Sequence, residues 1–118
     1  MAESPGNADA LYNYGLILSE NKKYKKSLKF LIKASLLLPD NARVDYNIAM
    51  LYDFFGEKAN AEKYLQRAID KRPNEVSNYS NLLNFYIQDN DTQKAELLKA
   101  KIGLMYPDTI LFRDRNDD

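Results

Sequence analysis

The chain has 118 residues, 45% of them hydrophobic, which is enough for one domain to bury a core. Lys+Arg and Asp+Glu are equal at 17 each, so no overall field favours nucleic acid or an acidic membrane. Cysteine and histidine are both absent, which removes disulfides, thiolate zinc sites, cysteine nucleophiles and every imidazole mechanism.

Met1 to Asn7 is polar and irregular, and it lacks the charged-then-apolar layout of a signal peptide. No run in the chain approaches the roughly 18 apolar residues of a membrane span. The first predicted helix covers Ala8 to Glu20, with Asn7 placed to cap it, and a second covers about Tyr24 to Leu37. That second helix carries Lys22, Lys23, Lys25, Lys26, Lys29 and Lys33 in and around its first turns, away from a Leu28, Leu31, Ile32 and Leu36 face. Such a run is either a solvated outer face or a surface for an acidic or phosphate-bearing partner.

From Ala42 to Pro73 the apolar residues again recur at helical spacing. Ile48, Leu51, Tyr52 and Phe55 lie on one segment, and Ala61, Tyr64, Leu65, Ala68 and Ile69 on the next. Asn41 is placed to cap the first of these helices. Gly56 tolerates the positive φ that ends it, and Pro73 stops the second. A third hairpin, Val76 to Pro107, departs from this plan. Leu83, Lys99 and Ile102 stand where tight or apolar residues are expected, and Gly103 inside its second helix costs about 1 kcal/mol. Lys99 occupies the place of Leu31 and Leu65 and suits a face turned to water, so the array is expected to stop here. In the tail, Ile110, Leu111 and Phe112 precede a charged end, RDRNDD; the triplet either caps the last hairpin or docks another subunit.

The four prolines, at 5, 39, 73 and 107, are each 34 residues after the one before. A fixed period of this size marks stacked supersecondary units that cannot bury their apolar faces alone. Pro5 is in phase with the rest, so either the chain was cut from a longer array or Pro5 is an ordinary proline at a helix start.

The pattern resembles the tetratricopeptide repeat over roughly residues 8 to 107. In the family's 34-position frame the small eighth residue is Gly15, Ala49 and then Leu83, and the small twentieth is Ser27, Ala61 and Ala95. The twenty-seventh is Ala34, Ala68 and Ile102, and the bulky eleventh is Leu18, Tyr52 and Tyr86. The frequent tryptophan of the fourth position is replaced by Leu11, Asp45 and Tyr79. The resemblance implies an all-α, right-handed α-solenoid of three helix hairpins with a short C-terminal capping segment. Its divisions are a linker 1–7, repeats 8–41, 42–75 and 76–107, and a cap 108–118.

No catalytic constellation is found. The serines have no histidine to activate them, the carboxylates are scattered at surface spacings, and no glycine-rich phosphate loop occurs. Neither a cofactor nor a metal is expected. Asn78-Tyr79-Ser80 and Asn90-Asp91-Thr92 match the N-glycosylation pattern, which matters only on a secretory route.

Asn13, Asn47 and Asn81 form a ladder at the sixth position of the three repeats. In the family this position faces the concave groove, so the resemblance implies a wall of Asp9, Arg43 and Ser77, of Tyr12, Tyr46 and Ser80, and of Leu16, Met50 and Asn84, with Ser19, Asp53 and Ile87 at the far rim. An amide offers one acceptor and two donors, which match the backbone of an extended peptide whatever its sequence. Asparagine here either grips such a peptide or bridges neighbouring repeats. The residues expected to bind peptide are Asn13, Asn47, Asn81, Tyr12, Tyr46, Leu16, Met50, Arg43 and Asn84. The carboxylate clamp known in the family needs residue types that Tyr12, Leu16, Ser77 and Asn81 do not supply; only Asn47 matches, so a free peptide C-terminus is not the expected ligand. The expected function is non-catalytic binding of an extended peptide or a partner helix, with no nucleic acid and no membrane insertion. Self-assembly through the terminal repeat faces, or service as an accessory domain of a larger protein, are the alternatives.

Overall fold

A computed structural model describes residues 7–107. They form six helices: α1 (Ala8–Glu20), α2 (Tyr24–Leu37), α3 (Ala42–Phe54), α4 (Lys58–Lys71), α5 (Val76–Gln88) and α6 (Thr92–Met105), with no strand among the described residues. The helices pair as three hairpins, in the order the 34-residue period predicts. The expectations for Pro5 and for Ile110 to Phe112 lie outside the described residues. By its internal contacts the chain divides into two compact units between residues 78 and 79.

Local chemistry accounts for the helix ends. Asn7 and Asn41 cap α1 and α3 as predicted, Asn7 accepting from the Ala10 amide and Asn41 from those of Arg43 and Val44. Asp91 does the same for α6 through the Lys94 amide. Each hairpin turns on one residue in left-handed backbone, Lys22 (φ 65°), Gly56 (φ 79°) and Asn90 (φ 60°), again one period apart. The residue after each donates its amide to a carbonyl five back: Lys23 to Leu18, Glu57 to Tyr52 and Asp91 to Tyr86, all within 2.9 Å. Glycine and asparagine take this conformation readily, whereas a lysine there pays about 1 kcal/mol. Lys22→Gly is therefore expected to stabilise the chain by about 1 kcal/mol, seen as a melting temperature higher by about 4 °C in circular dichroism.

In the first unit α2 packs on α1 and on α3, and α3 packs on α4. Leu31 and Ala34 of α2 join Val44, Ile48 and Leu51 of α3 in one buried cluster. The small positions lie where helices approach: Gly15, Ser27, Ala34, Ala49, Ala61 and Ala68 are all buried. At Gly15 a Cβ would stand 2.7 Å from Leu31 Cδ2, and the Ser27 hydroxyl donates to the Gly15 carbonyl at 2.6 Å. In the second unit Tyr79, Leu82, Leu83, Phe85 and Tyr86 of α5 and Ala95, Leu98 and Ile102 of α6 are buried, and the Tyr79 and Tyr106 rings meet at 6.2 Å. The side chain of Asn78, in the first unit, is also buried; its amide donates to the carbonyls of Ala68 and Arg72 at the end of α4, so it is no glycan acceptor.

Two side chains depart from the sequence pattern. Leu36, read as part of the core face of α2, is exposed. It stands about 140° around the helix from Leu31, and Ser35, about 40° away, takes the inward place. The second is Asp45, fully buried at the fourth position of the second repeat. Its Oδ1 accepts from the Ser35 hydroxyl at 2.5 Å and lies 3.5 Å from Arg67 Nε, and its Oδ2 lies 2.7 Å from Lys71 Nζ. Lys71 also donates to the carbonyls of Ser35 and Leu38, each at 3.0 Å, so one ammonium ties the end of α2 to α3 and α4. Where the third repeat carries the ring of Tyr79, the second carries Asp45, and the first two hairpins are joined by a buried ionic cluster.

Candidate protein-binding groove

Successive first helices of a hairpin array present a common face. On α1 this face carries Asp9, Tyr12, Asn13, Leu16 and Ser19, and on α3 Arg43, Tyr46, Asn47, Met50 and Asp53. Asp9, Asn13 and Arg43 are exposed, and the others are half-buried. The Asn47 amide donates to the Tyr12 hydroxyl at 3.0 Å, bridging α1 and α3. One amide hydrogen and the carbonyl of Asn47 are left for other partners. Burial pushes the Tyr12 phenol above its ordinary range, while the Arg43 charge and the Asn47 bond pull the other way.

Leu16, Asn47 and Met50, three of the residues expected to bind, line one pocket of about 180 Å³ together with Ser19, Tyr24, Leu31, Leu51 and Phe54. Phe54 and Tyr24 escaped the sequence reading. Phe54, 65% exposed, stacks on Tyr24 with ring centroids 4.8 Å apart and forms a projecting apolar wall. Phe54 stands four residues after Met50 and seven after Asn47, so its signal in the sequence is the helical spacing of the groove face itself. Asp53, at the rim, is engaged by Lys58 at 2.6 Å.

Asn81 and Asn84 belong to α5 in the second unit, where Asn81 is half-buried and Asn84 exposed. Among the described residues, no group of three acidic, cysteine or histidine side chains is placed to hold a metal, and no helix is long and apolar enough to cross a membrane.

Comparison with known proteins agrees with this architecture. A profile of the tetratricopeptide repeat matches residues 8–41 and 42–75. The chain belongs to the tetratricopeptide repeat family. Among solved structures, a mutant form of MamA superposes with a TM-score of 0.67 at 25% identity, over 85% of this chain and 73% of that one. A crystal structure of MamA gives 0.71 at 20% identity, over 80% of this chain and 56% of that one. MamA from residue 41 onward, from Desulfovibrio magneticus RS-1, gives 0.69 at 24% identity, over 86% and 57%. At these last two identities the likeness is one of fold, and this tetratricopeptide repeat chain spans little more than half of either structure. No curated protein sequence matches the chain. In general terms, tetratricopeptide repeats of this kind serve as protein-interaction scaffolds.

Proposed function

We propose that this chain is a non-catalytic module that holds an extended segment of a partner protein on the common face of α1 and α3. The observation that carries the reading is the pocket beside Asn47. It has apolar walls, Leu16, Met50, Leu51 and Phe54, and a polar group at its lip that can meet a peptide backbone. Seating a leucine- or phenylalanine-sized side chain there is worth about 1.5–3 kcal/mol, against about 0.5–1.5 kcal/mol for a hydrogen bond to Asn47. The apolar anchor therefore dominates affinity and the amide sets the register of the chain. Arg43, exposed on the same face, favours an acidic residue next to the anchor.

Peptides selected from a random library against the immobilised chain test this. They are expected to share one large apolar residue. Titrated by fluorescence polarisation, they should bind Met50→Asp at least tenfold more weakly and Asn47→Ala about 2- to 10-fold more weakly, with helicity unchanged. Equal binding to all three proteins moves the site elsewhere. A second reading, self-assembly, is favoured by the exposed Leu97, Leu104 and Met105 of α6; it requires a sedimentation coefficient that rises with concentration.

A further inference from the structure

The first hairpin carries an apolar stripe that the groove does not use. Ala10, Tyr14 and Ile17 recur at i, i+4 and i+7 and so share one face of α1. Tyr14 is 46% and Ile17 51% exposed. One period later the same register on α3 is Val44, Ile48 and Leu51, and there Ile48 and Leu51 are 0% and 7% exposed because α2 of the preceding hairpin covers them. An identical register is thus sealed by a helix in one hairpin and, among the described residues, half-exposed in the other.

The second helix of each hairpin extends the correspondence. On α2, Lys26, Phe30 and Lys33 share a face. Phe30 meets Tyr14 edge-on at 4.8 Å, and the Lys33 ammonium lies 5.8 Å over the Phe30 ring. On α4, Tyr64 and Arg67 hold the registers of Phe30 and Lys33, with the guanidinium 5.4 Å over the tyrosine ring. The two faces differ in what answers the cation. Arg67 faces the carboxylate of Asp45 and the hydroxyl of Ser35 on the covering helix. In the first hairpin the counterpart of Asp45 is Leu11, and among the described residues none of Lys26, Lys29 and Lys33 is in an ion pair. A helix laid on this face must bring its own carboxylates.

We propose that α1 and α2 dock an acidic amphipathic helix of a partner protein, seated as α2 is seated on α3 and α4. Leucine-type side chains lie over Tyr14 and Ile17, and carboxylates meet Lys26 and Lys33. A second copy of the chain fits less well. Two first hairpins face to face would bring like-charged lysines together, and α6 offers Lys99 and Gly103 where α2 offers Leu31 and Ser35.

The probe is a labelled peptide with the α2 sequence from Tyr24 to Leu38 carrying Lys25→Glu, Lys26→Glu, Lys29→Glu and Lys33→Glu; the unaltered lysine peptide is its control. The glutamate peptide is expected to bind the full chain at least tenfold more tightly than the control. Ile17→Lys, at an exposed position and checked for unchanged helicity, should weaken it at least tenfold. The double variant Lys26→Glu, Lys33→Glu should reverse the preference between the two peptides, an outcome that misfolding does not produce. The proposal is overturned if both peptides bind alike, if Ile17→Lys binds as the parent does, or if the parent sediments as a dimer that Ile17→Lys converts to a monomer.

Discussion

Asp45→Ala is expected to destabilise the first two hairpins by about 3–5 kcal/mol. The carboxylate is fully buried, and its removal leaves the ammonium of Lys71, a side chain only 10% exposed, without the charge 2.7 Å away that offsets its desolvation. The Ser35 hydroxyl loses its acceptor as well. Carbonyls of Ser35 and Leu38 still receive Lys71, but neutral acceptors do not replace a charge in a low-dielectric site. Since domains of this size have about 5–15 kcal/mol in total, the urea midpoint should fall by about a fifth or more. The pair Asp45→Leu with Lys71→Met should recover part of that loss, because the buried ammonium goes with its counter-charge, while the Ser35 hydroxyl and Arg67 Nε still lose the carboxylate. A loss under about 1 kcal/mol for Asp45→Ala would show that water reaches the cluster and that the ion pair does not join the hairpins.

Ile48→Ala is expected to cost about 2–5 kcal/mol, the transfer term plus the cavity left where α2 lies on α3. Ile17→Ala, the same chemical change on the bare face of the first hairpin, is expected to cost under about 0.5 kcal/mol. The contrast isolates coverage by a helix as the source of the difference, since both residues are isoleucines on the same stripe of a first helix. Paired urea titrations read both values. A large cost at Ile17 in the isolated chain would mean that this face is already covered, and would remove the basis for a docking site there.

Much of the candidate site was legible as position and little of it as contact. Leu16, Asn47 and Met50 were placed on one face by the 34-residue frame, and the structure brings them to one pocket. The bond from Asn47 to Tyr12 and the wall made by Phe54 against Tyr24 depend on how far one hairpin is rotated against the next, which no spacing within a helix encodes.

What the sequence determined by itself was the repeat and everything local to it: the hairpins, the ends of α1 and approximately those of α2, the asparagine caps, and the small side chains at helix crossings. These follow from periodicity, backbone conformation and volume, each set within a turn or two of chain. Tertiary structure alone decided that Asp45 is buried, that Lys71 reaches back 36 residues to Ser35, and that Leu36 is left outside while Ser35 turns in. A charged residue on a helix has the same local pattern whether it meets water or a counter-ion, and only the partner helix, brought there by packing, settles which.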